Sequence, residues 1–331
     1  MFSWTSWKNK ILKLCLVLDS LGFPGQKTKH YILEVEEENT AEEKQPIIPS
    51  KSVWKVLAIE FFLFSLTLGL GILTASRAFA EIEKHYSKLP RVSIGEFVVH
   101  FLIATAFLFL IIRVVTVKKR KKALFKFLFT TAVFLGGWTT LNIWIGDLPS
   151  LVLMTLLIVW WWKKPSVIVQ DACVVLAIAG TGSLLGLSFN PEVVVILLAL
   201  FSLYDIVAVY KTKHMVRLAK EMIESKAVLG LIIPQDFLGF KSSLHDLQPG
   251  GKMLILGGGD IVFPLFLCAS LVPSEGLSSS LVVALFSLAG LTLSFYLFLS
   301  QEDRKPIPAL PPIAFSSIMG FLMVRLFNFF A

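Results

Sequence analysis

The sequence predicts an all-α membrane protein with nine transmembrane helices, and three observations carry that prediction. The 331 residues are 55% hydrophobic and only 16% charged, with a mean hydropathy of +0.75, whereas a soluble domain carries about 25% charged residues. Nine apolar stretches approach the ~20 residues that a helix needs to cross a bilayer. The basic residues behind the net charge of +8 gather between those stretches. That is a topology pattern rather than a nucleic-acid surface, and the basic–aromatic interleaving of single-strand binders is missing.

Residues 1–52 read as a cytoplasmic N-terminal segment. Trp4, Trp7, Ile11, Leu12, Leu14 and Leu16 interleave with Lys8, Lys10 and Lys13, as in a short amphipathic helix lying on a membrane surface. A signal peptide fits less well, because Lys13 and Asp19 interrupt the apolar run and no small-residue cleavage site follows. Glu34 to Lys44 is an acidic run of the solvated, disordered kind. The membrane domain, 53–331, follows. Its expected spans are 53–75, 95–117, 123–145, 148–163, 166–188, 191–210, 253–273, 278–300 and 309–329. The fourth is short and relies on Trp160, Trp161 and Trp162 as an interfacial anchor ahead of Lys163 and Lys164. The one sizeable hydrophilic loop, 211–252, holds Pro234, Gly239, Pro249, Gly250 and Gly251 and reads as partly irregular. Residues 212–227 fit a surface helix prolonging the sixth span. Cys15, Cys173 and Cys268 are too scattered for a disulfide framework or a zinc site.

Charge sets the expected orientation. Lys118 to Lys122 follow span two, Lys163 and Lys164 span four, and Lys211, Lys213, Arg217, Lys220, Lys226, Lys241 and Lys252 span six. Arg304 and Lys305 follow span eight. The connections after spans three, five and seven carry no Lys or Arg, while the one after span one dissents with Arg77, Lys84, Lys88 and Arg91. The positive-inside rule then puts the N-terminus in the cytoplasm and the C-terminus outside.

Two intramembrane carboxylates draw the chemistry together. Asp205 lies six residues before Lys211, and Asp260 eight residues after Lys252. At ~1.5 Å per helical residue both sit roughly 9 to 12 Å inside the same boundary, on consecutive antiparallel spans. A carboxylate in hydrocarbon calls for a partner or a function. A close pair in low dielectric titrates as a unit, and one protonated beside one ionised member is the machinery of aspartic proteolysis. Gly257, Gly258 and Gly259, just before Asp260, weaken the helix and let another backbone approach. Exposed main chain there suits pairing with an unwound peptide as an added strand. Pro306, Pro308, Pro311 and Pro312 open the ninth span and favour an extended segment at the same depth. Asp171, near the start of span five, reads as interfacial, and Glu60 and Arg325 as packing or pairing residues.

With these motifs in place, the chain resembles the presenilin and signal-peptide-peptidase family of intramembrane aspartyl proteases. Tyr204-Asp205 matches the family's YD motif. Gly257-Gly258-Gly259-Asp260 matches GxGD, with Gly258 at the variable position. Pro308-Ala309-Leu310-Pro311 matches PALP. The intact PALP and cytoplasmic N-terminus are similar to presenilins, and the short loop to a microbial homologue, which implies the plasma membrane of a microbe. The resemblance implies that Asp205 and Asp260 are the catalytic pair. Tyr204 would orient or hydrogen-bond near Asp205, Gly257 and Gly259 would shape the approach to Asp260, and Pro308 to Pro311 would support the site and its substrate. It implies an endopeptidase acting on transmembrane-helix substrates near their cytoplasmic ends, without cofactor or metal.

The sequence leaves room for a homo-oligomer and shows no feature that marks accessory subunits. A cation channel or carboxylate-coupled transporter is the alternative, since intramembrane carboxylates and broken helices serve those too. It lacks support from inverted repeats and leaves PALP unexplained. A non-catalytic scaffold would not need both aspartates.

Overall fold

The computed structural model of the chain describes residues 53–85, 95–96, 99–100, 102–103, 106, 118–211, 221–244, 253–301 and 307–330. The N-terminal segment 1–52 and most of the expected span 95–117 lie outside the described residues.

Helix α1, Val53–His85, runs ten residues past the expected end of span one. Helices α2, Lys118–Ile145, and α3, Asp147–Lys163, form a hairpin around Gly146. Helix α4 is Val167–Ser188, and α5 is Pro191–Ile206 with a π-helical turn over Val207–Lys211. Helix α6, Gly258–Leu299, is continuous except at Gly276, where φ is 81° and ψ 177°. That left-handed backbone, which only glycine adopts without strain, divides α6 into two arms matching expected spans seven and eight. Ser280 Oγ of the second arm donates to the Cys268 carbonyl of the first at 2.7 Å. Helix α7 is Leu310–Phe330.

Among the described residues six helices are long and apolar enough to cross a membrane. One of them is the two-armed α6, and the 17-residue α3 is the short span expected from the sequence. Described helices therefore account for eight of the nine expected passes. The chain is a multi-pass membrane protein.

Lipid tails are as apolar as the helix surfaces, so packing geometry and hydrogen bonds hold the helices together. Helix α4 packs against α1, α2, α3 and α6 and has most of its length buried. Its Gly180 meets α2 so closely that an added Cβ would lie 2.2 Å from the Gly136 carbonyl oxygen. Thr140 Oγ1 of α2 donates to the Leu176 carbonyl of α4 at 2.6 Å. The second arm of α6 joins α7 through a 2.7 Å bond between the hydroxyls of Ser287 and Ser317. Arg325 of α7 pairs with Glu275 at 3.0 Å and also with Glu192 of α5, so this residue ties three helices.

The loop between α5 and α6 is more regular than its glycines and prolines suggest. Strand β1, Gly230–Pro234, pairs antiparallel with strand β2, Met253–Gly257, in the register Leu231 to Leu256 and Ile233 to Leu254. The expected seventh span therefore begins as a strand, and its helix starts only at Gly258. Of the expected surface helix, residues 221–225 are helical and 212–220 lie outside the described residues.

Candidate active site

Asp260 is set by the junction of β2 and α6. Gly257 is the last strand residue and the N-cap of α6, so Asp260 falls in the first turn. A first-turn acid can reach back to the N-cap N–H, and the Asp260 carboxylate does accept the Gly257 main-chain N–H. The carboxylate folds so closely over Gly257 that an added Cβ would lie 2.9 Å from its Oδ2. Gly258 N–H donates to the Leu229 carbonyl at 3.0 Å, extending the sheet by one bond, and its own missing Cβ would meet that carbonyl at 3.0 Å. Gly259 is exposed and has room, the nearest atom to an added Cβ being Phe263 Cε2 at 3.6 Å.

Asp205 sits at the end of α5. Its helix buries Val194, Leu197 and Leu198, and Asp205 continues that inward face at 9% exposure. Its Oδ2 accepts the Leu310 N–H at 3.3 Å. Leu310 opens α7, and Pro311 and Pro312 behind it have no N–H to offer. Leu310 therefore supplies the sole main-chain donor of the first three residues of α7.

The two carboxylates lie at one level. Phe201, one turn before Asp205, stacks on Phe263, one turn after Asp260, with ring centroids 4.3 Å apart. Residues three or four apart share a helix face, so the ring pair fixes α5 against α6 with both aspartates on the loop side of it. The YD, GxGD and PALP segments thus converge: Leu310 bonds Asp205, the Phe201–Phe263 stack sets Asp205 level with Asp260, and Asp260 bonds Gly257.

A second network, not foreseen from the sequence, holds β1. Trp161 Nε1 donates to Gln170 Oε1 at 2.7 Å, and Gln170 Nε2 donates to the Val228 carbonyl at 2.6 Å. Asp171 Oδ1 accepts the Ile232 N–H at 2.9 Å. Asp171, near the start of α4, is 3% exposed and anchors β1. One expectation is corrected here. Of the three tryptophans only Trp160 and Trp162 face outward, at 59% and 56% exposure, while Trp161 is 1% exposed. A tryptophan enters a core when a partner meets its N–H, and one oxygen of Asp171 is met by the Ile232 N–H. Those partners lie on α4 and the loop, out of reach of local pattern.

Among the described residues no third strand pairs with the outer edge of β2. Polar groups alternate sides along an antiparallel strand. Ile232 turns its N–H to Asp171, so Leu231 and Ile233 face β2. Met253 and Ile255 of β2 accordingly point away from β1, along an edge that ends at Gly257 and Asp260. Asp171→Ala would leave the buried Ile232 N–H unpaired, at about 1–3 kcal/mol. The expected result is a lower unfolding temperature and faster hydrogen exchange over residues 230–234, read by mass spectrometry.

Tyr204 is 53% exposed, and among the described residues no hydrogen bond is recorded between it and Asp205. Successive helical residues point about 100° apart, so burying Asp205 turns its neighbour outward. The PALP segment is extended only at its start: Pro308 is buried, Ala309 and Pro311 are half-buried, and the helix begins at Leu310. Prolines in a first turn displace no intrahelical bond, so Pro311 and Pro312 do not delay it. Among the described residues no three His, Cys, Asp or Glu side chains group to hold a metal ion.

Comparison with known proteins gives a consistent picture. The family model described as signal-peptide peptidase, presenilin aspartyl protease matches residues 53–329. No curated protein sequence matches significantly. Similar solved structures include two of a presenilin family intramembrane aspartate protease, one in space group C222 and one in P2. The first is 22% identical with a TM-score of 0.54, covering 82% of this chain and 97% of its own. The second is 22% identical with a TM-score of 0.52, covering 80% and 96%. At that identity the likeness speaks for the fold, while the family match spans nearly all of the membrane domain. The chain belongs to the signal-peptide peptidase and presenilin family of intramembrane aspartyl proteases.

Proposed function

We propose that Asp205 and Asp260 form the catalytic dyad of an intramembrane endopeptidase, and that it cuts transmembrane segments near their cytoplasmic ends. The observation that carries this reading is the convergence of the two carboxylates with the Leu310 N–H at one level of the bundle. In the reaction the ionised member takes a proton from water as the oxygen attacks the peptide carbonyl carbon. The protonated member gives its proton to the carbonyl oxygen. The resulting diol collapses, the C–N bond breaks, and the amine leaves with a proton returned from the dyad. Leu310 and Gly257 N–H groups hold the two carboxylates in place through this exchange.

A helical substrate must unwind before its carbonyls are open to attack. The outward groups of Met253 and Ile255 suit an added strand, which would run toward Asp260. Tyr204, on the outer face of α5, borders that approach rather than orienting Asp205. Gly259 leaves space over the first turn of α6, and Pro308 to Pro311 fix the start of α7 against Asp205. The basic connections support a cytoplasmic N-terminus and, with the compact loop, the plasma membrane of a microbe.

The test is cleavage of a tagged transmembrane peptide by the purified chain in liposomes. Products that disappear with a transition-state aspartyl-protease inhibitor are expected, and would also establish that no accessory subunit is required. Ion flux dependent on both aspartates, with no cleavage of any of several transmembrane peptides, would instead favour the channel or transporter alternative, which nothing in the fold supports.

A further inference from the structure

The outer edge of β2 leads to Asp260. Polar groups alternate along the strand, so the outward groups of Met253 and Ile255 are followed by the Gly257 N–H, and that N–H is the one the Asp260 carboxylate takes. A strand laid on this edge passes Ile255 and meets Asp260 two residues, about 7 Å, further on. Which of its peptide bonds arrives there depends on how β2 is held.

The chain of β2 is a weak holder. It joins α6 through Gly257, Gly258 and Gly259, the residue type least able to fix a chain direction. Among the described residues its only partner strand is β1, and β1 is fixed along its far edge by α4. Asp171 Oδ1 accepts the Ile232 N–H at 2.9 Å, and Ile232 lies opposite Ile255. Gln170 Nε2 donates to the Val228 carbonyl at 2.6 Å, while the Trp161 indole N–H donates to Gln170 Oε1 at 2.7 Å. The same end of α4 takes more of the loop. Val167 N–H donates to the Ser242 carbonyl at 3.1 Å, and Leu244 N–H to the Pro165 carbonyl at 2.8 Å.

Helix α4 also fixes α6. A Cβ on Gly182 would lie 2.5 Å from Leu265 Cδ2, and one on Gly186 would lie 2.5 Å from Ala269 Cβ. At the junction itself Ile178 Cδ1 lies 3.7 Å from the position of a Cβ on Gly258. The spacings agree, since the helical stretch from Asp171 to Ile178 and the strand from Ile255 to Gly258 each cover about 10 Å. The frame is closed: α4 holds β1, β1 holds β2, β2 leads into α6, and α6 packs on α4.

We propose that Gln170 and Asp171 are specificity-determining residues, which hold the outer edge of β2 in one alignment with the dyad and so select the peptide bond that is cut. The proposal rests on the dyad and added-strand reading. Both act through β1 as positioning residues and touch neither substrate nor a reacting atom. A closed frame presents one bond in preference to its neighbours. Opened on the α4 side, the sheet turns on its glycine joint, neighbouring bonds reach Asp260, and the cuts spread.

The experiment reads the cut sites by mass spectrometry of the products from one transmembrane peptide, with the full chain in liposomes. Wild type, Asp171→Ala, Asp171→Asn, Gln170→Leu and Asp260→Asn are compared. Asp171→Ala and Gln170→Leu are each expected to lower the ratio of the major cut to its neighbours by about fivefold or more, the factor that one buried hydrogen bond carries. Asp171→Asn can still accept the Ile232 N–H and should keep the wild-type ratio. A merely structural role would lower the unfolding temperature and the amount of active protein, while every surviving molecule cut at the same bonds. An unchanged ratio in either folded variant overturns the proposal. Should Asp171→Ala fail to fold, Gln170→Leu, which nearly keeps the side-chain volume and loses both bonds, decides alone. An active Asp260→Asn would remove the dyad reading, and this proposal with it, whereas an inactive Asp260→Asn beside an unchanged ratio removes this proposal alone.

Discussion

Asp205→Asn and Asp260→Asn are each expected to lower kcat for transmembrane-peptide cleavage by about 10⁴-fold or more, with helix content and unfolding temperature close to wild type. Asn has the shape of Asp, and its carbonyl oxygen can still accept the N–H that holds each side chain, from Leu310 for residue 205 and from Gly257 for residue 260. The substitution therefore preserves packing and removes only the capacity to take up and release a proton. Groups that act as one unit are strongly non-additive. The double variant should be no slower than either single one. Full turnover by either single variant would sink the dyad, as would losses that multiply in the double variant. Wild type should show a bell-shaped rate–pH profile, since one acid and one base are required together.

The parts of this site that were legible in the sequence are those fixed by covalent order and solvent. Apolar length located the spans, and the distance of each aspartate from a bordering lysine placed both near one boundary. The structure reaches a common level by another route. Met253 to Gly257 is a strand, with a rise of about 3.3 Å per residue rather than the helical ~1.5 Å, and the stack of Phe201 on Phe263 sets the level. A five-residue apolar run cannot be told from a buried helix segment by pattern alone. What makes it a strand is pairing with Gly230–Pro234, whose apolar residues sit inside a hydrophilic loop. Trp161, Gln170 and Asp171 were out of reach for a related reason. The buried α4 has no amphipathic face to betray that Gln170 and Asp171 turn inward, α3 is apolar on its exposed and buried sides alike and so hides the inward turn of Trp161, and the partners of these three lie on α4 and the loop.

The three glycines before Asp260 offer the sharpest test of the local geometry, because the same added methyl group is expected to act differently at each. At Gly257 the new Cβ would lie 2.9 Å from Asp260 Oδ2, so the carboxylate must move. A displacement of about 1 Å at a reacting group can cost on the order of 10²-fold in rate. Gly257→Ala should therefore lower kcat by that order with KM little altered. At Gly258 the Cβ would meet the Leu229 carbonyl at 3.0 Å, the acceptor of the last bond between β1 and α6. Gly258→Ala should loosen the sheet, seen as faster hydrogen exchange over 230–234, and lower the rate less. At Gly259 the Cβ finds ordinary contact with Phe263 at 3.6 Å. Alanine is favoured over glycine in a helix by about 1 kcal/mol, so Gly259→Ala should be at least as stable as wild type and nearly as active. Steady-state cleavage of one transmembrane peptide by the three variants gives the order directly. If Gly259→Ala were the most damaged, the space over Gly259 would be needed by the substrate backbone, and the approach to Asp260 would cross the first turn of α6 rather than follow the edge of β2.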